Sequence, residues 1–505
     1  MSAPSLPTAV ANRGLITVSI MLATIMQVLD TTIANVALPS MQGSLGAAQD
    51  TITWVLTSYI VAAAIATPIT GWIADRIGIK RLFMTCVAGF TVASMMCGLS
   101  GSLTQMVGFR ILQGLFGAAL VPLSQSVLLN INPKERHGQA MAMWGAGIMV
   151  GPIIGPTLGG WLTDAFNWRW VFFINLPVGI IAFLGIGAFM PEGPLRARKF
   201  DFFGFAFLSL GIGALQMMLD RGEQLDWFSS PEILIEVALM AIGFWVFTIH
   251  MATAKNTFID PHIFKDRNFV TGLVFIFIIG IILLATMALL PPMLQNLYGY
   301  PVITTGMILA PRGVGTMAAM IVVGRLMGKV DPRLLILVGL GATTWSLYEM
   351  TTWAPVMDSW PFMLTGIVQG FGLGFVFVPL STIAFATLPP HWRTDAASLF
   401  SLVRNLGSSI GVSLVATLLS QNTQINHEVL AGHITPFNPA MPADAAAGNL
   451  EALAQINAVI TRDAAFISYI DDFKLMMFVT LATIPLLAFM RYKPQKGPAQ
   501  HVALD

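Results

Sequence analysis

Two residues of opposite charge stand inside long apolar stretches of the sequence. Asp30 lies in QVLDTTIANVALP, and Arg110 lies in RILQGLFGAAL. An ionisable group at the centre of a bilayer costs about 3 kcal/mol on insertion scales and is a functional-site hypothesis by default. Burial and a neighbouring arginine act in opposite directions on the proton affinity of a carboxyl group. Such a pair could therefore take up and release a proton; the alternative is a static ion pair that fixes the register of two helices.

Helical spacing places these two charges at similar depth. Asp30 lies about 13 Å from the outer end of its segment, and Arg110 lies about 10 Å from the outer end of its own. Gln27 shares the helix face of Asp30, and Gln113 shares that of Arg110. We therefore expect the two charges to pair among polar neighbours and to face a cavity between two halves of the molecule.

A stretch rich in glycine and proline, GIMVGPIIGPTLGG, interrupts another apolar segment. It contains Gly147, Gly151 and Gly155, together with Pro152 and Pro156. Glycines four residues apart let a neighbouring helix approach closely. Membrane helices tolerate proline where their neighbours satisfy the freed carbonyl groups. The stretch predicts a kinked and tightly sealed helix pair; the alternative is ordinary packing of small residues.

The turn GWIADRIGIKRLF combines a carboxylate with basic residues at a helix end. Its candidate gate residues are Gly71, Asp75, Arg76 and Gly78. Basic residues anchor such turns on the cytoplasmic side. Asp75 adds a negative group, which suggests a latch against another helix end.

Two further arginines fall inside apolar segments. They are Arg312 in LAPRGVGTM and Arg404 in FSLVRNLGSSIG. Gly407 and Gly411 mark a close-packed face beside Arg404. A direct role in transport and a structural role are equally open for both arginines.

The composition makes lipid the solvent for most of the chain. Of its 505 residues, 55% are hydrophobic and 10% are charged, whereas soluble proteins carry roughly 25% charged residues. Stretches of about 20 apolar residues recur along the chain, which predicts an all-α membrane protein with fourteen transmembrane helices. The net charge of +1 argues against a nucleic-acid partner. The sequence contains no metal-ligand spacing and no Walker A motif for ATP.

The distribution of basic residues predicts the orientation of the chain. Most of its 26 lysines and arginines fall in segments that share one side of the membrane. Cytoplasmic loops carry the excess of Lys and Arg. Both termini are therefore expected in the cytoplasm.

An internal repeat indicates two homologous halves. The tetrapeptide VPLS occurs at Val121–Ser124 and again at Val378–Ser381, with similar residues on both sides. Parallel halves of this kind hold their substrate site between them, near the midplane. The predicted organisation is a six-helix bundle at 14–190, two extra linker helices at 191–268, a second six-helix bundle at 269–490 with a long periplasmic loop at 420–472, and a cytoplasmic tail at 491–505.

These stretches together resemble the major facilitator superfamily, and specifically its fourteen-helix drug:proton antiporter branch of the EmrB type. LDTTIANVALP, GWIADRIGIKR, RILQGLFGAAL and GIMVGPIIGPTLGG resemble the first-helix, loop, fourth-helix and antiporter motifs of that branch. The resemblance implies export of hydrophobic compounds driven by the proton gradient, without a cofactor. It places Asp30 as the proton-coupling carboxylate, Arg110 as its partner and Asp75 in the inner gate.

The same resemblance extends to location and partners. It implies a bacterial inner-membrane protein that works with a periplasmic adaptor and an outer-membrane channel as a three-part pump. The residues expected along the substrate cavity are Gln27, Asn35, Gln113, Arg312 and Arg404.

Other functions stay open at this point. The chain could export one physiological substrate, such as a fatty acid or a siderophore, and a transporter-like sensor is a further alternative. A membrane enzyme would need a convergent nucleophile, metal site or phosphate site, and the sequence offers none. The leading hypothesis is a secondary active antiporter for amphipathic toxic molecules.

Overall fold

The computed structural model describes residues 12–48, 51–193, 195–196, 199–254, 257–435 and 449–490. Within them, thirteen helical segments are long and apolar enough to cross a membrane. A fourteenth helix of 19 residues, with Arg333 and Glu349 near its ends, is less apolar. In chain order the helices are α1 Arg13–Leu45, α2 Trp54–Ile77, α3 Ile79–Leu99, α4 Leu103–Ile131, α5 Lys134–Ala165, α6 Trp170–Phe189, α7 Phe202–Arg221, α8 Pro231–Thr253, α9 Arg267–Leu297, α10 Ile303–Leu326, α11 Pro332–Met350, α12 Trp360–Ala386, α13 Pro390–Gly432 and α14 Leu450–Phe489.

This order confirms the predicted fold class. Six helices precede the linker pair α7–α8 and six follow it. Polar residues at the helix starts cap the first turn, as where Asp201 accepts from the amide of Gly204 and Asp266 from the amide of Phe269. Apolar length and polar caps therefore locate these helices in the sequence.

The two halves are held together at one end of the bundle. We call this the basic end; it is the end at which α1 begins, and the opposite one is the far end. Ser126 of α4 shares a hydrogen bond of 2.8 Å with Thr394 of α13, and Arg393 Nη1 donates to the carbonyl of Leu129 at 2.9 Å. Helix α5 also packs along α10. The described hydrogen bonds between the halves lie at the basic end.

The linker helix α7 lies beside both α2 and α13, one helix from each half. At the far end it is tied to α2, because Thr57 donates to Asp220 and the guanidinium of Arg221 lies over the ring of Trp54. Helix α8 packs on α7 and is far more exposed, as the 70% exposure of Trp245 shows. One linker helix thus covers the seam between the halves, while the other faces outward.

The segment predicted as a long periplasmic loop at 420–472 is helical over most of the part that the structure describes. Helix α13 continues to Gly432, and α14 begins at Leu450. Asn426 Nδ2 donates to Ser468 Oγ at 3.0 Å, so the two extensions pair with one another. Polar composition marks where a chain leaves the bilayer, but it does not end a helix. Residues 436–448 and the predicted tail at 491–505 lie outside the described residues.

We call residues 420–435 and 449–468, which pair through Asn426 and Ser468, the far-end hairpin. Several of its apolar side chains are exposed, including Ile425 at 58% and Val429 at 56%. The segment is therefore a helical arm with an apolar surface.

The glycine-rich stretch packs α5 against α1. A Cβ atom at Gly151 would lie 3.2 Å from the backbone nitrogen of Leu29, and one at Gly155 would collide with Thr32. The helix is interrupted at Met149, three residues before Pro152, where proline disrupts the preceding turn. The close approach and the break in the helix occur as predicted, within the N-terminal half.

This packing predicts a stability difference between two glycines of the same helix. Gly155→Val should lower the free energy of unfolding by about 1–3 kcal/mol, because overpacking displaces α1. Gly160→Val is the matched control, since a Cβ atom there meets nothing within 4 Å. Thermal unfolding of the two purified variants measures the difference. Equal unfolding temperatures would show that the helices do not need this close approach.

Candidate functional site

Asp30 lies at the centre of a buried polar cluster. Its Oδ2 accepts from Arg110 Nη1 at 2.7 Å, and its Oδ1 accepts from Gln113 Nε2 at 2.9 Å and from Asn175 Nδ2 at 2.8 Å. The side chains of Asp30 and Arg110 are each only 1% exposed. We call these four residues the Asp30 cluster; its carboxylate has three donors and no contact with solvent.

The surrounding helices hold Arg110 from the other side. Its Nε donates to the carbonyl of Val55 at 2.9 Å, and its guanidinium lies over the ring of Tyr59 at 4.6 Å. Gln27 Nε2 in turn donates to the hydroxyl of Tyr59 at 3.0 Å. These contacts come from α1, α2, α4 and α6, which all belong to the N-terminal half. The arginine is oriented by a carboxylate, a carbonyl and an aromatic ring at once.

The predicted pairing is confirmed, but the predicted surroundings are wrong. The depth argument brings Asp30 and Arg110 together as expected. However, the pair lies inside the N-terminal bundle and does not face an open cavity between the halves. Helix α1 is apolar on most of its surface. The sequence therefore predicts the depth of Asp30 in the membrane but not the direction in which its side chain points.

Asn175 is a member of the cluster that the sequence reasoning missed. It binds both Asp30 and Ser94 Oγ, the latter at 2.9 Å, and is 1% exposed. A single amide in the apolar stretch FFINLPVG is the signal that could have found it. Asn35, by contrast, is exposed and lies outside the cluster.

The C-terminal half contains an altered copy of the cluster. Thr286 and Gln369 follow Asp30 and Gln113 at the same spacing of 256 residues. Gln369 Nε2 donates to Thr286 Oγ1 at 3.3 Å. Thr286 Oγ1 donates to the carbonyl of Ile282 at 2.6 Å and lies 3.8 Å from the sulfur of Met476. The contact repeats while the carboxylate is replaced by a hydroxyl. The two halves thus share a geometry but not a charge.

Arg312 and Arg404 lie in the C-terminal half, away from the Asp30 cluster. Arg312 is 7% exposed and donates to the carbonyl of Leu283 at 3.3 Å. Arg404 is half-buried. Neither guanidinium has an ion pair with a carboxylate among the residues that the structure describes. The structure therefore places them in the second half without joining them to the proton-coupling candidates.

The candidate gate residues lie where α2 meets α13 at the basic end. Gly71 faces Asp395 so closely that a Cβ atom there would overlap the carboxylate. The backbone carbonyl of Asp75 accepts from the amide of Arg196 at 2.7 Å, and Arg76 lies over the ring of Trp72. Gly78 has φ of 92°, a conformation that favours glycine.

Asp395 lies in the first turn of α13. The structure shows that it also faces Gly71 across the seam between the halves. The sequence signal for this contact was a charged residue that directly follows a turn at the basic end.

The buried pair predicts a specific pattern of stability. Arg110→Met should lower the free energy of unfolding by about 3–5 kcal/mol, because it leaves the Asp30 carboxylate buried without its cation. Adding Asp30→Asn should recover a large part of that loss, since the amide oxygen can still accept from Gln113 and Asn175. Chemical unfolding of both variants in detergent provides the measurement. A double variant that is less stable than Arg110→Met would contradict the account.

Comparisons with known proteins agree with this architecture. The Major Facilitator Superfamily model matches residues 20–412. The multidrug export protein EmrB of Escherichia coli K12 is 38% identical over 436 residues, which cover 85% of this chain and 84% of EmrB. The fatty acid resistance protein FarB of Neisseria gonorrhoeae is 36% identical over 499 residues, covering 96% and 97% of the two chains.

A solved structure shows the same fold at low sequence identity. The proton:xylose symporter XylE superposes with a TM-score of 0.61 at 12% identity, over 95% of this chain and 99% of XylE. At this identity the likeness concerns the fold alone. The family match and the relatives together show that this multi-pass membrane protein is a transporter, and that it belongs to the EmrB-type branch of the major facilitator superfamily.

Proposed function

We propose that the protein exports hydrophobic and amphipathic toxic compounds in exchange for protons. The observation that carries the proposal is the Asp30 cluster. It contains one buried carboxylate, whose side chain is 1% exposed and whose negative charge is balanced by the guanidinium of Arg110. The names of the relatives EmrB and FarB supply the class of cargo. Proton coupling is our inference from the cluster.

The cluster suggests how a proton acts on the transport cycle. With Asp30 ionised, Arg110 is held by the carboxylate and by the carbonyl of Val55, which ties α4 to α1 and α2. A proton on Asp30 removes the negative charge and weakens the tie to Arg110. The helices of the N-terminal half can then shift relative to one another. Loss of the proton restores the ion pair and resets the cycle.

A second candidate function is export of a specific anionic amphiphile, such as a fatty acid. Arg312 favours it, because this buried cation has no described carboxylate partner and could hold an acidic head group. The name of FarB agrees with such cargo. A panel of dyes, hydrophobic antibiotics and long-chain fatty acids, tested on cells with and without the gene, separates broad from narrow export.

We also propose a cellular setting. The excess of basic residues supports a cytoplasmic position for the basic end and both termini, and a periplasmic position for the far end. The far-end hairpin then projects from the bacterial inner membrane toward a periplasmic adaptor, which connects it to an outer-membrane channel. The exposed apolar side chains of the hairpin support this contact.

Asp30→Asn should abolish proton-driven export, because the amide cannot gain or lose a proton in the working pH range. The measurement is efflux of ethidium from proteoliposomes under an imposed pH gradient. Asp164→Asn removes an exposed carboxylate on α5 and should leave efflux unchanged. Undiminished efflux by Asp30→Asn, with normal expression, would end the proposed role of Asp30.

Charged residues on the far-end hairpin should prevent adaptor binding. Ile425→Arg combined with Val429→Arg is expected to remove cross-linking to the co-expressed adaptor, since burying either charge is costly. Val356→Arg is the control, because Val356 is 87% exposed between α11 and α12, outside the hairpin. Unchanged cross-linking by the hairpin variant would rule out this docking surface.

A further inference from the structure

A second buried carboxyl group lies in the C-terminal half, outside the Asp30 cluster. Asp472 of α14 is 1% exposed, and its Oδ2 is enclosed without a hydrogen-bond partner. Among the residues that the structure describes, none forms a hydrogen bond or an ion pair with it. Asp30 and Asp472 are thus equally buried, but only Asp30 has donors around it.

Three neighbours of Asp472 on α14 belong to a buried apolar cluster: Tyr469, Phe473 and Met476. The other members of this cluster include Leu290 of α9, Leu347 and Met350 of α11, and Val415 of α13. Tyr469 is the titratable member, and it interacts electrostatically with Asp472. The charged residue that acts on Asp472 is its neighbour Asp471. The carboxylate of Asp471 is itself 3.2 Å from Lys474 Nζ, on the exposed side of the helix. No positive charge on the packed helices compensates Asp472 among the described residues.

Asp472 also lies next to the altered copy of the cluster. The sulfur of Met476, one helical turn further along α14, lies 3.8 Å from Thr286 Oγ1. Thr286 occupies the position of Asp30 in the second half. Gln369 completes this contact, and its Oε1 is a second buried acceptor without a donor. The second half therefore has no carboxyl group at Thr286, but it has one on α14 at Asp472, one helical turn from Met476.

An ionised carboxylate in such a place would be strongly disfavoured. A buried charge must be paired, bound to a metal or neutralised. Asp472 has no pairing cation, and no group of three or more His, Cys, Asp or Glu side chains in the described residues could hold a metal. Neutralisation by a proton remains. Protonation of the carboxylate would also supply an O–H donor. The two buried acceptors, Asp472 Oδ2 and Gln369 Oε1, have no donor otherwise.

Two charged residues of α14 lie beside Asp472. Asp471 and Lys474 are 42% and 51% exposed, and their charges favour a hydrated position toward the far end. A modest rotation or displacement of α14 would bring Asp472 toward this surface. The group could take up a proton there and hold it while it is enclosed.

We propose that Asp472 is a second proton-binding carboxyl group, occupied in the state that is closed at the basic end. The cycle then carries two protons for each exported molecule, one on Asp30 and one on Asp472. A proton from the far side adds to a carboxylate oxygen of Asp472. The same O–H bond breaks when, in the opposite state, the group opens to water that connects to the basic end, and the proton leaves on that side. This inference rests on the proposed proton-driven export.

The proton count can be read from transport at equilibrium. Proteoliposomes clamped at zero voltage with potassium and valinomycin should accumulate ethidium about 100-fold per pH unit if two protons move, and about 10-fold if one moves. Wild type should show the larger ratio, and Asp472→Asn the smaller. Asp471→Asn, which changes the exposed neighbouring carboxylate, should keep the wild-type ratio.

The outcomes separate the two proposals. An Asp472→Asn ratio equal to that of wild type, or a 10-fold wild-type ratio, overturns the second site while proton-driven export stands. No accumulation by wild type under a pH gradient overturns the export proposal itself.

A second measurement does not depend on a variant that folds. Dicyclohexylcarbodiimide reacts with protonated carboxyl groups in apolar surroundings. Peptide mass spectrometry of the treated wild-type protein should find the label on Asp472, and not on Asp471 or on the ion-paired Asp30. Labelling should decrease as the pH rises. An unlabelled Asp472 would overturn the proposal.

Discussion

A carboxylate cannot remain ionised in a membrane interior without donors, and this constraint organises the N-terminal half of the protein. Four helices each supply a part of the solution around Asp30: the carboxylate itself from α1, the carbonyl of Val55 from α2, Arg110 and Gln113 from α4, and Asn175 from α6. The cluster is therefore a structural tie between these helices. In the proposed cycle it is also a chemical switch, because removal of the charge on Asp30 would weaken contacts that join all four helices.

The duplicated architecture makes the asymmetry between the halves informative. Thr286 and Gln369 retain the contact made by Asp30 and Gln113, but without a titratable group. Arg312 and Asp472 are both buried in that half, and neither is described in an ion pair. The N-terminal half thus holds its buried aspartate and arginine as a pair, whereas no described ion pair joins Asp472 and Arg312 in the C-terminal half. In the proposed cycle, the two similar bundles would therefore respond differently to one proton gradient.

The sequence predicted what apolar length and helical depth determine. Span number and the Asp30–Arg110 pairing follow from the spacing of residues along regular helices, which is the same in any environment. The direction in which Asp30 points could not be predicted, because membrane helices are apolar toward lipid and toward their neighbours alike. Asn175 was missed for the same reason, since one amide in an apolar run has no periodic partner. The helical structure of the far-end hairpin was not predicted. Polar composition indicates where a chain leaves the lipid, but a helix can continue in water.

The central claim is that Asp30 changes its protonation state during transport. Infrared difference spectroscopy of the purified protein, with carbon-13 label in its aspartates, observes this change directly as the pH is lowered. The account predicts a carboxylic-acid band that appears on acidification in the wild-type protein and is missing from the Asp30→Asn spectrum. Superimposable spectra of the two proteins would show that Asp30 does not take up the proton, and would contradict the account.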